Sequence, residues 1–361
     1  MSSTNSNLAV GKKPIRVLMV TGAYPTESCP HSGTFIKSQV DSLIAAGLEV
    51  EVIHPKPGPV LFRYLTAILS VFLKTLTRKF DIVHGHYGQW CLFARMQWTT
   101  PVVASFLGDD LLGTFNANGG YSKKSLMIVR LSHWLCRRVD AVIVKSEGMK
   151  QAAAGGNIFV IPNGVDFELF RPILRSEARK ALGWDPHRYY VLFGNDPKIP
   201  VKNFGLAQAA VERLGDKGMP VELVVARGLP QSTVVQYMNA SNALILSSLA
   251  EGSPNVVKEA MACNVPIVST NVGDVEQVIG RTEGCKVCLH DADALAAALE
   301  EAFQHTGPTT GRMDIKHLDR TVIAKQVIAV YEHILSKNTV GGLEENKPAY
   351  ADSLDDLVVR H

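Results

Sequence analysis

The chain has 361 residues, 46% of them apolar, enough for two domains of ordinary size that each bury a core. Its net charge of +3 hides unlike halves: residues 1–185 hold 21 Lys and Arg against 13 Asp and Glu, and the remainder 16 against 21. A basic front half suits acidic substrates, anionic lipid head groups or a plain solvated surface, with no nucleic-acid partner expected. The six dispersed cysteines, at 29, 91, 136, 263, 285 and 288, exclude a disulfide-stapled scaffold and read as reduced core thiols.

The first fourteen residues are polar, with no apolar core or cleavage-like site, so residues 1–14 are expected to be flexible and the protein cytoplasmic. Apolar runs then alternate with helical patterns, which predicts parallel sheets with crossover helices. The predicted strands are 16–21, 49–53, 82–84, 102–105, 141–144 and 158–161 in the front half, and 190–193, 221–225, 243–246, 267–269 and 286–289 in the back half. The fold class is therefore α/β, two Rossmann-like doubly wound units. Residues 15–170 are the front domain, 171–188 the link, 189–336 the back domain ending in a helix at 321–336, and 337–361 an aperiodic tail. Thr21-Gly-Ala-Tyr-Pro25 lacks the glycine spacing of a dinucleotide fingerprint, which argues against an NAD enzyme. Cys285-Lys-Val-Cys288 has no second pair at zinc spacing and reads as strand, so no metal is expected. Residues 60–79 are apolar over a run too short to span a bilayer and carry Arg63, Lys74, Arg78 and Lys79. That pattern fits a sheet-covering helix, or a peripheral contact with the inner face of a membrane.

The chemistry concentrates at Glu251-Gly-Ser-Pro-Asn-Val-Val-Lys-Glu259, placed at a strand-to-helix turn after Ala243-Leu-Ile-Leu-Ser247. Pro254 suits the first turn of the helix, and the spacing of Glu251 and Glu259 would set them on nearly one helical face. Backbone N–H groups at Gly252 and Ser253 then favour an anion, phosphate above all. Flanking carboxylates that accept from sugar and ribose hydroxyls suit a nucleotide-sugar better than a bare nucleotide.

The full string from Ala250 to Asp274 resembles the donor-binding signature of retaining glycosyltransferase family 4, whose members have the GT-B fold, two Rossmann-like domains facing across a cleft. The resemblance covers about residues 15–336. It implies a metal-independent, retaining hexosyltransferase with no cofactor beyond a nucleotide-diphosphate sugar as co-substrate, and an acceptor that is a glycan or lipid-linked polysaccharide precursor. It makes Lys202 and Glu251 the catalytic candidates. Donor contacts would come from Gly33, Lys202, Glu251, Gly252, Ser253, Pro254, Asn255, Val256 and Glu259, the last on ribose. Arg227, beyond a candidate strand, is a further donor candidate because ligands of open parallel sheets bind at the carboxyl ends of strands.

In the front half, His31-Ser-Gly-Thr-Phe-Ile-Lys-Ser-Gln39 resembles the family's glycine-containing loop and first helix, which places Gly33 and Thr34 at the cleft. Ser105-Phe-Leu-Gly-Asp-Asp110 aligns with the family's His-Gly-x-Asp segment: Gly108 and Asp110 match, but the histidine is Leu107. The arginine that usually follows the glycine of the lysine-bearing segment is Asn195. His84 and His86, at the end of a strand, either partly take up the missing imidazole's space or are satisfied core or turn histidines. Two rivals remain at this point: a nucleotide-sugar-binding scaffold in which Leu107 and Asn195 mark impaired catalysis, and a nucleotide-sugar 2-epimerase, whose extra acid–base groups the sequence does not display.

Overall fold

The computed structural model describes residues 13–340 apart from 56–57, 115–121, 154 and 306. The terminal segments read as unstructured therefore lie outside the described residues, except for 13–14 and 337–340. The front unit runs β1 (Arg16–Thr21), α1 (Thr34–Ala45), β2 (Glu49–Ile53), α2 (Val60–Thr77), β3 (Ile82–His86), α3 (Gly88–Arg95), β4 (Val102–Ser105), α4 (Asp109–Leu112), α5 (Lys123–Cys136), β5 (Ala141–Val144), α6 (Glu147–Ala152) and β6 (Ile158–Val160). The back unit begins with α7 (Arg175–Leu182) and β7 (Tyr189–Phe193), followed by a 3-10 turn (Pro200–Lys202) and α8 (Phe204–Asp216). It continues through β8 (Val221–Val225), α9 (Gln231–Ala240), β9 (Ala243–Leu246), α10 (Asn255–Ala262), β10 (Ile267–Thr270), α11 (Val275–Ile279), β11 (Lys286–Cys288), α12 (Ala292–Gln304), α13 (Gly311–Asp314) and α14 (Arg320–Val340).

Two all-parallel sheets result, ordered β2-β1-β3-β4-β5-β6 and β11-β10-β9-β7-β8. Their central strands are covered on both faces, which is why β5 and β9 read as unbroken apolar runs. The strand over Ile82 extends two residues past its apolar run, because His86 still pairs with Thr21 on one side and Ser105 on the other. In each sheet the chain leaves one strand in one direction and later returns on its other side, between β1 and β3 and between β7 and β9. Crevices form at the carboxyl ends of such strand pairs, and the two crevices here face each other.

The stretch 171–188 is not bare linker. It contains α7, packed on α9, and the buried Arg179 donates to the carbonyls of Ala240 (2.9 Å) and Pro186 (2.8 Å) and to Asn242 Oδ1 (2.7 Å). Its prolines and charges mask a helix that belongs to the back unit. The last helix also departs from expectation, since α14 crosses back to pack on α1 of the front unit, with the Tyr331 hydroxyl 2.6 Å from His84 Nδ1. The second crossing is close: a Cβ on Gly164 would lie 2.6 Å from Arg320 Cα, and Arg320 pairs with Asp166 at 2.5 Å.

Candidate active site

The carboxyl ends of β1, β3, β7 and β9 open onto one cleft of about 600 Å³ between the two units. On the back wall, β9 is followed by Ser247 and Ser248, both fully buried. Ser247 Oγ donates to the carbonyls of Lys202 (3.1 Å) and Asn203 (2.9 Å), so the strand end fixes the 3-10 turn that carries Lys202. Lys202 Nζ then lies 2.6 Å from Glu251 Oε1, which also accepts from Ser248 Oγ at 2.7 Å. The two catalytic candidates are thus partners, both largely withdrawn from solvent and both lining the cleft.

Glu251 is not on the helix. It sits in the loop, and α10 starts only at Asn255, with Pro254 at the N-cap position rather than inside the first turn. Pro254 supplies no side-chain cap, so the first-turn N–H groups of α10 have no intrahelical acceptor and stand at the cleft wall. Gly252 must be glycine for steric reasons: a Cβ there would come within 2.9 Å of the Leu107 carbonyl and 3.0 Å of Gly108 Cα, across the domain boundary. Glu259 lies one helical turn further on and lines the cleft. Burial pushes its carboxyl up to about 7, against the favourable charge of Lys258.

Beneath the loop lies a group that the sequence reading passed over. Lys258 is fully buried and donates to Ser253 Oγ (2.6 Å), which donates to Asp274 Oδ2 (2.5 Å); the ammonium also reaches the Asn163 carbonyl at 3.4 Å. Burial pushes Lys258 down to about 8 and raises Asp274. The Ser253 hydroxyl is therefore committed to the scaffold, which leaves its backbone as the group nearest a ligand. The available signal was positional: Lys258 stands among Val256, Val257, Ala260 and Met261, a lysine inside an otherwise apolar helix face.

On the front wall, His84 and His86 stack at 4.4 Å. His84 is satisfied by Tyr331 and by Ser105 Oγ (2.7 Å), whereas both ring nitrogens of His86 are buried, unpartnered among the described residues and at the cleft. Burial, with His84 and the buried Lys145 adding to it, holds His86 well below the usual imidazole range, so it is neutral. Tyr87, also lining, adopts φ 76° and ψ 135°, a strained backbone for a residue with a Cβ, and its hydroxyl reaches Asp109 at 3.3 Å.

Leu107 lines the cleft where the sequence comparison expects an imidazole, and Asn195 lines it with a buried Nδ2 that has no partner among the described residues. Four sequence candidates fall elsewhere. Asp110 is buried behind the wall, accepting from the N–H groups of Leu107 (2.9 Å), Gly108 (3.0 Å) and Gly88 (3.0 Å), a clamp that sets the loop rather than a surface facing the cleft. Gly33 takes φ 65°, and a Cβ there would meet the Ala23 carbonyl at 2.3 Å, so its requirement for glycine is packing at the start of α1. Neither Gly33 nor Thr34 lines the cleft; Phe35 and Ile36 do. Arg227 is half-exposed, paired with Asp196 at 2.9 Å and outside the lining. Among the described residues no three His, Cys, Asp or Glu side chains cluster as metal ligands.

Two opposed Rossmann-like units with an interdomain cleft define a GT-B enzyme. Residues 15–169 match the model of Glycosyltransferase Family 4 and residues 190–305 that of Glycosyl transferases group 1, and the chain belongs to this glycosyltransferase family. TuaC of Bacillus subtilis, assigned as a teichuronic acid biosynthesis glycosyltransferase, is 25% identical, over 81% of this chain and 90% of its own. Among solved structures, sucrose-phosphate synthase from Thermosynechococcus elongatus superposes with a TM-score of 0.69 at 19% identity, over 90% of this chain and all of that one. HepE from Anabaena in complex with UDP gives 0.64 at 17%, over 89% of this chain and 100% of its own.

Proposed function

We propose that this glycosyltransferase moves a hexosyl group, with retention of anomeric configuration and without a metal, from a nucleotide-diphosphate sugar to a glycan or lipid-linked polysaccharide precursor on the cytoplasmic side of a membrane. The observation that carries the reading is the Lys202–Glu251 pair at the open start of α10, opposite a front wall that approaches to van der Waals contact at Gly252. The donor diphosphate sits at the α10 N–H groups, where positive partial charge and the Lys202 ammonium meet it. Glu259 accepts from the ribose hydroxyls. As the C1–O bond to phosphate breaks, charge builds on the leaving oxygen and Lys202 stabilises it. Glu251 orients Lys202 and offers its remaining oxygen to the sugar. The acceptor oxygen bonds to C1 on the face the diphosphate leaves, and its proton passes to the departing phosphate oxygen, so no side-chain base is needed. The polysaccharide assignment of TuaC and the UDP held by HepE favour a UDP-sugar and a cell-surface glycan acceptor.

The test is a panel of nucleotide-sugars scored first by thermal stabilisation and then by release of nucleotide and free sugar. A ligand at a hundred times its Kd raises stability by about 2.7 kcal/mol. Stabilisation followed by slow hydrolysis supports transfer. Binding without turnover makes the chain a scaffold, sugar interconversion at constant nucleotide-sugar total makes it an epimerase, and no stabilisation by any donor sinks the reading.

A further inference from the structure

Helix α2 is apolar on the side that faces water. Its inward stripe, Ala67, Val71 and Thr75, packs on the sheet, and Tyr64 sits against Trp90 and Phe93 of α3. The opposite stripe should be polar in an ordinary surface helix. It carries Leu61 (70% exposed), Phe62 (55%), Leu65 (56%), Leu69 (55%), Phe72 (38%) and Leu76 (58%) instead. Soluble proteins seldom leave a contiguous face of this kind without a partner.

The surroundings of the stripe select that partner. The crossovers from β2 to β3, β3 to β4, β4 to β5 and β5 to β6 all run the same way across the sheet, so right-handed connections put α2, α3, α5 and α6 in one layer. The packing of α2 on α3 and of α3 on α5 agrees, while α1 and α14 cover the other face. Helices α2, α3 and α5 contain no acidic residue, and the one in α6, the exposed Glu147, lies 4.0 Å from Lys150. Residues 60–139 hold ten Lys and Arg against three Asp and Glu. Of those three acids, Asp81 accepts from the Arg16 N–H, Asp109 lines the cleft and Asp110 is buried. Lys79, Lys123, Lys124, Arg130 and Arg137 are exposed. A basic, acid-poor layer beside an exposed aliphatic and aromatic stripe matches a surface that is anionic outside and apolar just beneath.

We propose that the α2–α3–α5 layer docks the enzyme on an anionic lipid bilayer, with the outer stripe of α2 lying in the interface plane. A spanning role for α2 does not fit its setting, because Lys74 and Arg78 pair with Glu51 of β2 and its inner stripe is part of the sheet packing. The docking stands on surface chemistry alone. A lipid-linked acceptor of the proposed reaction would be presented at that same surface.

The experiment is co-sedimentation of the full chain with vesicles of phosphatidylglycerol and phosphatidylcholine, and of phosphatidylcholine alone, at low and high salt. Two variants accompany it: Leu61→Ser with Phe62→Ser, Leu65→Ser and Leu69→Ser, and Lys123→Glu with Lys124→Glu and Arg130→Glu. Wild type should bind the anionic vesicles and be released by salt. The apolar variant should bind on the order of a hundredfold less or weaker still, and the charge variant should lose its preference for phosphatidylglycerol. The apolar variant's melting temperature and its response to UDP should not change, since those side chains already stand in water; this separates failure of docking from failure of the transferase reading. Wild type remaining in the supernatant, or binding that survives the apolar substitutions, overturns the proposal. A concentration-dependent dimer abolished by the same four substitutions would also overturn it, by assigning the face to a second copy.

Discussion

Glu259→Gln should stabilise the protein while weakening its hold on nucleotide. Burial raises this carboxyl from the usual 4.5 to about 7, so the folded state keeps the proton more tightly than the unfolded chain does. The associated stabilisation is fully present below pH 4.5 and is lost as pH rises through about 7. At about 1.36 kcal/mol per pH unit, the ionised carboxylate then costs up to about 3 kcal/mol relative to a neutral side chain of the same shape. Glutamine removes that cost, so the back unit should melt several degrees higher at about pH 8, with the gain shrinking towards about pH 5. Nucleotide affinity should move the other way. Loss of charge-assisted bonds to ribose hydroxyls is worth about 1.5–3 kcal/mol, roughly ten- to over a hundredfold in Kd. Wild-type affinity should also fall below neutral pH as Glu259 takes up its proton, and the variant's should not. Melting curves and UDP titrations at the two pH values provide the check. A variant that melts lower at high pH, or binds UDP as wild type does, refutes the assignment of Glu259 as a strained carboxylate kept for the donor.

Lys202→Ala should lower turnover on the order of a hundredfold or more while changing donor Kd far less, because the ammonium acts mainly on charge that develops at the leaving phosphate. Turnover restored by saturating donor would remove it from that role. Gly252→Ala places a methyl 2.9 Å from the Leu107 carbonyl, so the units cannot keep their present approach; transfer should fall on the order of tenfold with the UDP Kd little changed, read by steady-state kinetics beside titration. Leu107→His restores an imidazole beside the transferring sugar. Wild type should prefer a donor sugar with a deoxy or methyl position there, since an unpaired buried hydroxyl costs about 1–3 kcal/mol, and the variant should shift towards the hydroxylated donor. An unchanged ratio of turnover with the two donors would show that Leu107 does not face the sugar.

The strands were legible because β-strands buried on both faces must be apolar, and the runs at 102–105, 141–144 and 243–246 are structured as read. Elements whose signal is split between polar and apolar demands were harder. Helix α7 hides in a proline-containing stretch because what anchors it is Arg179, a cation that sequence patterns count as surface. The crossing of α14 depends on a contact between Tyr331 and His84, residues 247 apart, which no local pattern encodes. At the site, the motif located the back wall, since Lys202, Glu251, Gly252 and Glu259 do share one cleft. It did not resolve the division between residues that face the ligand and residues that hold the wall. Asp110, Gly33 and Ser253 belong in whole or in part to the second kind: each has its side-chain bonds or steric requirement met by the scaffold.

That division bears on the departures at Leu107 and Asn195. A site that had merely lost function would be expected to fill or satisfy the positions it no longer uses, because an unpaired buried polar atom costs about 1–3 kcal/mol. Here the opposite holds on both walls. Among the described residues His86 has two buried ring nitrogens without partners and Asn195 a buried amide nitrogen without one, and all three atoms belong to residues that line the cleft. Tyr87 adds a strained backbone between them and Asp109. Such costs persist where a ligand offsets them. Both walls of the cleft thus keep polar side chains uncommitted to the scaffold, with the neutral His86 imidazole offering one donor and one acceptor.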